Sequence, residues 1–321
     1  MGRYLLIRIA TAFPQLILIS LLSFAVMKMA PGDPVASLVG GREYMTAADY
    51  ERVSRNLGLD RPVPVQYIIW LGNLARGNWG KSLRDGREIQ GIVSGGLKAS
   101  LVLVGTASIF LIPLSLAAGY WAGTRPRSWV DHAVSGSALL SAATPAFWLG
   151  LVLIVLFAVK AGFFPSSGQR TLGEEGGLID RAAHLVLPVL TIVLTQAGPY
   201  IRLARGSIQD TMSADFLRAA RARGLKRRTR ILRYLLPNAL TPFITWVGLS
   251  FPLLVGGVFI VEWVFAWPGL GRLFLQAAVS RDYPMLMASV LVTGVLVIAG
   301  NILADLLVAW LNPKLRRGDE R

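Results

Sequence analysis

The stretch Leu217–Pro242, LRAARARGLKRRTRILRYLLPNALTP, holds eight Lys or Arg and no acid, yet an apolar run ends shortly before it and another begins within it. Charge of this density calls for an anionic surface: nucleic acid, an anionic membrane face or an acidic protein. The rest of the chain narrows the choice. Of 321 residues, 54% are hydrophobic and only 16% are charged, and mean hydropathy is +0.54. That is more apolar surface than a soluble core of this size needs, so the solvent is a membrane. The eight cations supply more than half of the formal net charge of +15. The strip has no recognisable nucleic-acid recognition fold and no aromatic interleaving beyond Tyr234, which argues against nucleic acid as a partner. With no Cys in the chain, disulfide frameworks, thiolate metal sites and Cys nucleophiles are excluded together.

Six apolar runs are long enough to cross about 30 Å of hydrocarbon as helices: Ile9–Met29, Leu101–Gly123, Ala133–Val159, Leu185–Leu203, Ala239–Val261 and Met285–Leu311. Lipid offers no partner to an open backbone, so each run is expected to be helical, with Pro14, Pro113, Pro145, Pro188 and Pro252 as kinks. The first run is too long for an ordinary signal-peptide core and no small-x-small cleavage site clearly follows, so it is read as a retained anchor helix. Placing the N-terminus in the cytoplasm puts Arg3 and Arg8, the link with Arg125 and Arg127, the stretch Arg202–Arg233, and Lys314, Arg316, Arg317 and Arg321 all inside. The short outer links balance Arg170 and Arg181 against Glu174, Glu175 and Asp180, and Arg272 and Arg281 against Glu262 and Asp282. The positive-inside rule therefore holds at every short loop with six helices and both termini cytoplasmic. Pro31–Leu97 becomes a large, mixed-charge outer segment in which turn signals alternate with amphipathic pieces.

Several features suggest chemistry that the pattern does not carry. ARGNWGKS, Ala75–Ser82, is one residue short of a P-loop, but Ala75 stands in place of the first Gly and no buried strand precedes it, so it reads as a turn ending an amphipathic helix. His132 and His184 are the only histidines; they belong to no HExxH helix and fall at opposite membrane faces, so they read as interfacial polar residues. Glu262 and Asp305 lie near predicted helix ends, where structural hydrogen bonding or salt bridging explains them better than an ion path. There is no GxSxG elbow. No catalytic residue, cofactor site or metal site is expected in this chain.

Within the opening stretch the local pattern is more specific than the charge. Ser213 is expected to cap a helix beginning at Ala214, with Asp215 in the first turn, where the helix dipole favours an acid. Phe216, Ala219, Ala220 and Arg223 fall at three- and four-residue spacing and are expected to share one face, whose two methyl-sized side chains let another protein approach closely. Gly224 ends the helix as a residue free to take positive φ, and Leu225 follows as an apolar anchor. A second helix is expected from Arg227 towards Leu236, with Pro237 marking a bend at the membrane boundary. The remaining cations, Arg218 and Arg221 among them, suit anionic lipid headgroups at about 1 kcal/mol each.

Two Ala, three residues, a Gly, nine residues and then YLLP resemble the cytoplasmic-loop signature, EAA-x3-G-x9-I-x-L-P, of permease subunits of ATP-binding cassette (ABC) importers. Here Ala219, Ala220, Gly224, Leu236 and Pro237 match it, while Arg218 replaces the Glu and Tyr234 the Ile, as in the dipeptide and oligopeptide branch. APGDP at Ala30–Pro34, LGLDRPVPVQY at Leu57–Tyr67, VEWVFAWPGLGRL at Val261–Leu273, SRDYP at Ser280–Pro284, and the C-terminal NILAD and LNPKLR extend the resemblance, in order, through most of the chain. They are similar to the member of the peptide permease pair that carries a large first outer loop.

The resemblance implies an all-α integral membrane protein: residues 1–97 would form the first transmembrane helix and outer loop, and 98–321 a five-helix type I (MetI-like) ABC importer permease core with its cytoplasmic coupling loop at about 204–238. It further implies a second homologous permease, two cytosolic ATPases that hold the ATP and Mg, an extracytoplasmic solute-binding protein, and a bacterial or archaeal cell membrane. The loop from Asp215 through Arg221 to Leu225, closed off by Leu236 and Pro237, is then the element that docks on an ATPase. The rival is an autonomous secondary transporter using a carboxylate such as Asp305. That class calls for midplane ionisable residues or broken-helix repeats, and neither is clear in the sequence.

Overall fold

The computed structural model describes residues 2–29, 46–56, 60–171, 173 and 177–311. The tail cations Lys314, Arg316, Arg317 and Arg321, the APGDP run, and Glu174 and Glu175 lie outside them. Among the described residues the only β-pairing is an isolated bridge between Lys81 and Glu88, and the fold is all-α.

In chain order the helices are α1 (Gly2–Met29), α2 (Ala47–Asn56), α3 (Val63–Ala75), α4 (Ile89–Gly123), α5 (Trp129–Ala143), and α6 (Ala146–Leu153), which runs on as the π-helical Ile154–Lys160. There follow α7 (Leu178–Ser213), α8 (Asp215–Ala222), the single turn α9 (Arg227–Thr229), π-helical Arg230–Leu235, α10 (Leu236–Leu249), α11 (Phe251–Val264), α12 (Leu270–Ser280) and α13 (Tyr283–Leu311). Three of these, α4, α7 and α13, are long and apolar enough to cross a membrane, and a fourth span exists if the α5–α6 pair counts as one.

The six expected runs lie in helices but with different limits, and only three of them, or four with the bent pair, contain a helix that is long and apolar enough, among the described residues, to cross a membrane. Helix α4 starts at Ile89 rather than Leu101, and α7 continues to Ser213 rather than Leu203. At about 1.5 Å per residue both exceed the hydrocarbon thickness, so their ends project beyond it. The run Ala133–Val159 is bent by 100° between α5 and α6, where Pro145 forces Thr144 into the extended region with φ −88° and ψ 119°. The run Ala239–Val261 is broken at Ser250. Pro188 and Pro199 interrupt nothing in α7, as expected where neighbouring helices satisfy the freed carbonyls.

Contacts group the chain into two units, Met1–Ser100 with Pro268–Ile298 and Leu101–Trp267 with Ala299–Arg321. In the first, Ile89, Val93, Leu270, Ala277, Met285 and Ala288 form a buried apolar cluster, and the Ser82 hydroxyl donates to buried Asp282 at the head of α13. In the second, α7 is the central element, with α5, α6, α10 and α11 packed along it. Gly119 and Gly123 of α4 face the same helix: a Cβ on Gly119 would stand 2.4 Å from the Ala204 Cβ, and one on Gly123 2.8 Å from Ile208. This is the close backbone approach that small residues four apart allow in lipid, where dispersion replaces hydrophobic drive.

Candidate functional site: the cationic helical turn after α7

Helix α7 ends at Ser213, and Ala214, extended at φ −68° and ψ 143°, is both its last cap and the entry to α8. This corrects the expected cap. The Ser213 hydroxyl points back and donates to the Asp210 carbonyl at 2.8 Å, so Ser213 belongs to the last turn of α7, and α8 begins at Asp215 with no side-chain cap. Asp215 does lie in the first turn, and it pairs instead with Arg218 at 2.6 Å on the open surface, an exposed pair of little energetic weight.

The C-terminal end of α8 closes as read from the sequence. Gly224 takes φ +71°; its N–H donates to the Arg221 carbonyl at 3.0 Å and the Leu225 N–H to that of Ala220 at 3.3 Å. These are the paired bonds of a Schellman ending, which needs a left-handed residue at this position. A Cβ on Gly224 would meet nothing within 4 Å, so the requirement is purely conformational.

The faces of α8 differ from expectation at one residue. Leu217 and Ala220 are buried at 6% and 3% exposure, while Phe216 is 41% exposed and Ala219 and Arg223 are open. Ala220 therefore packs inward, one side of the helix away from Ala219. With a 100° step per residue, Ala220 stands 60° from Leu217 and 40° from Phe216, so it lies at the boundary between the buried side at Leu217 and the open side at Ala219 and Arg223, and the structure turns it inward. Leu217 joins Ile208, Leu235 and Ala239 in an apolar cluster, with Tyr120, Met212, Ile231, Tyr234 and Leu236 around it. Leu236 thus packs against the cluster to which Leu217 of α8 belongs, and Pro237 is exposed. Pro237 does not end the helix: it occupies the first turn of α10, after a π-wound stretch that already departs from i→i−4 bonding.

Two polar ties, neither read from the sequence, fix the base of this assembly. The Ser207 hydroxyl donates to the Ala239 carbonyl at 2.6 Å, joining α7 to α10. Arg205 donates through Nε and through Nη2, at 2.9 Å, to the two oxygens of Asp131. Asp131 is 5% exposed in its side chain and also accepts from the Arg127 N–H at 2.9 Å, at a residue held at φ 62°. Ser128 caps α5 by accepting from the Asp131 N–H at 3.2 Å. The S-x-x-D spacing of Ser128 and Asp131 was the available signal, since it marks a helix start.

Around the turn, Arg221, Arg223, Lys226, Arg227, Arg228, Arg230 and Arg233 have no ion-pair partner among the described residues. The arrangement presents a short helix with a small apolar outer face, Phe216 and Ala219, framed by cations and backed by a buried cluster. That suits docking of α8 into an apolar groove of another protein. It offers no nucleophile and no acid–base pair. Elsewhere, ARGNWGKS follows α3 and leads into the Lys81–Glu88 bridge, with Gly77 and Gly80 at positive φ; it lacks the strand–loop–helix context of a phosphate cradle. His184 is buried, its Nδ1 2.9 Å from the Asp180 carbonyl, and Glu262 is wholly buried near the end of α11.

Comparison with known proteins agrees with this geometry. The family described as "binding-protein-dependent transport system inner membrane component" matches residues 115–317, and its N-terminal counterpart matches residues 1–85. The chain is similar to the oligopeptide transport system permease protein AppB of Bacillus subtilis, 36% identical over 316 residues that cover 98% of this chain and 99% of that protein. It is similar also to the dipeptide transport system permease protein DppB of Escherichia coli, 32% identical over 337 residues with the same coverage of 98% and 99%. Among solved structures, an inward-facing MetNI methionine ABC transporter superposes with a TM-score of 0.56 at 19% identity, over 70% of this chain and 97% of that one. An amino acid ABC transporter gives 0.53 at 16% identity, over 68% and 94%. These structural likenesses show the fold alone.

Proposed function

Because the chain belongs to the family of binding-protein-dependent transport system inner membrane components, we propose that it is the permease subunit of an ATP-driven importer, forming part of the path for peptides or similar small solutes. The peptide class rests on relatives named for oligopeptide and dipeptide transport. An autonomous secondary transporter is not favoured, since the relatives are components of multi-part systems.

The observation that carries the coupling role is the two-sided build of α8. Its inner face, Leu217 and Ala220, is fixed to the long helices, while its outer face, Phe216 and Ala219, is open. A knob of this kind transmits work only if its partner contacts it differently in two states. ATP and Mg would be held by two cytosolic ATPases, one of which receives α8; a second permease would complete the path and an extracytoplasmic solute-binding protein would deliver the solute. We assign six membrane crossings with both termini cytoplasmic, the first from α1 and the fifth from α10 and α11 together, in a bacterial or archaeal cell membrane. In this division residues 1–97 form the anchor and outer loop and 98–321 the core, and the cations beside α8 meet lipid headgroups.

The test is purification of an affinity-tagged chain from its native membrane in mild detergent. A second permease and ATP-binding subunits should co-purify, and the chain alone should hydrolyse no ATP. ATP turnover by the isolated chain, or its isolation as a lone functional transporter, contradicts the assignment.

A further inference from the structure

Helix α3 is the apolar element that the importer architecture leaves unused. Its thirteen residues, VPVQYIIWLGNLA, include no charge, and none of them is buried in the fold. Val63 is 49% exposed and Ile68 67% exposed, with Val65 and Ile69 also open. At about 1.5 Å per residue the helix is roughly 20 Å long, too short to cross about 30 Å of hydrocarbon. An apolar helix of this length is either a core helix or one that lies in or dips into the membrane surface. The absence of buried residues removes the first alternative. Its neighbour α2, AADYERVSRN, with the exposed Glu51–Arg55 pair, is what a water-facing helix of the same outer segment looks like.

The contacts of α3 set its depth. The Tyr67 hydroxyl lies 2.7 Å from the Ser20 hydroxyl of α1, the Tyr67 ring meets Phe24 edge-on at 5.4 Å, and Trp70 stands 6.5 Å from the same ring. Higher on α1, Lys28 donates to Gln66 at 2.5 Å. Helix α3 therefore lies against residues 20–28 of α1, about 12 Å of its length. Just below, Gly294, midway along the membrane-length α13, faces Ile19 and Leu16 of α1, with a Cβ there 3.4 Å from the Ile19 side chain. Residues 20–28 are thus the outer-leaflet part of α1. Tyr67 and Trp70, amphipathic rings favoured at a membrane interface, sit beside them.

We infer that α3 is embedded in the outer leaflet, with Val63, Val65, Ile68 and Ile69 against phospholipid acyl chains, so that it fastens the large outer segment to the membrane beside α1. The inference rests on the proposed spanning role of α1. The rival occupant is the solute-binding protein, which would cover the same face from water.

The Cys-free sequence permits a direct test on the full-length chain in phosphatidylcholine bilayers. Single variants Ile68→Cys, Leu21→Cys on the exposed side of α1, and Arg84→Cys in the outer turn carry an environment-sensitive fluorophore, and lipids brominated in the acyl chain serve as quencher. The inference expects the labels at 68 and 21 to lose most of their emission and the label at 84 to keep it. Quenching at 21 without quenching at 68 overturns the inference and leaves the topology standing. A label at 68 that reports water until a solute-binding protein is added overturns it in favour of a protein partner. No quenching at 21 overturns the spanning role of α1, and the inference with it.

Discussion

Arg205 of α7 grips Asp131 of α5 with two guanidinium nitrogens on two carboxylate oxygens. The same carboxylate accepts the backbone N–H of Arg127, the residue of the α4–α5 link that takes φ 62°. One buried acid thus fixes a helix start, a strained link and the long helix from which α8 hangs. A planar guanidinium is needed for such a two-pronged grip, and Lys cannot reproduce it. Asp131→Ala leaves Arg205 without its partner and should cost on the order of 3 kcal/mol, read as a drop in the thermal midpoint of the detergent-solubilised chain. Asp131→Asn, which keeps an acceptor, should cost less, and equal stability of both variants with the parent contradicts the role given to the pair.

Gly224→Val should weaken ATPase association without lowering the membrane level of the chain. The left-handed turn strains a β-branched residue by about 1 to 3 kcal/mol, and free space around the position means that no clash contributes. Gly224→Asn should retain most association, since Asn tolerates this conformation. Equal loss for Val and Asn in a pull-down contradicts the conformational reading.

Ala219 and Ala220 should separate, although they are neighbours in sequence. Ala220→Glu places a carboxylate at a position only 3% exposed and should reduce the amount of folded chain. Ala219→Glu faces outward and should leave folded yield unchanged while abolishing ATPase pull-down. Single Arg228→Gln and Arg230→Gln changes should alter neither by much. A parental pull-down for Ala219→Glu, with loss in the Arg variants, assigns docking to charge instead.

In the outer segment, Ser82→Ala removes the hydroxyl that donates to buried Asp282. Asp282 also accepts, weakly at 3.3 Å, from the Met285 N–H at the head of α13. The loss should be about 1 to 3 kcal/mol in thermal unfolding. An unchanged midpoint shows that the tie carries no stability.

Single cysteines replacing Arg55 and Arg170 should react in intact cells with an impermeant thiol reagent, and one replacing Arg227 should react only after permeabilisation. All three positions are exposed on the protein, so access depends on the membrane alone. Labelling at 227 from outside contradicts the six-crossing topology.

The helical character of the long apolar runs is legible in the sequence because lipid imposes a coarse rule: apolar runs become helices. The ending of α8 is legible for a local reason, since Gly224 followed by an apolar residue has few alternatives. Its beginning is not. GSIQDTMS contains nothing that stops a helix, so α7 runs on to Ser213, and the residue expected to cap α8 serves the preceding helix. The burial of α8 is tertiary: Leu217 packs with Leu235 and Ala239, which come into place only after the chain has turned at Gly224 and re-entered as a helix. The Asp131–Arg205 pair joins residues 74 apart, beyond what a periodic pattern records. The break at Ser250 is intermediate: Pro252 marks a helix start, but the bond between Tyr200 and Ser250, 2.8 Å and buried, is tertiary.

The measurement closest to the central claim is peptide uptake into proteoliposomes that hold this chain, its second permease and their ATPases, with solute-binding protein and ATP supplied on opposite sides. The parental complex should accumulate peptide only with ATP, and Ala219→Glu should remove both uptake and uptake-linked hydrolysis at equal incorporated protein. Full ATP-driven uptake by the Ala219→Glu complex, or uptake by the permeases without the ATPases, contradicts the account.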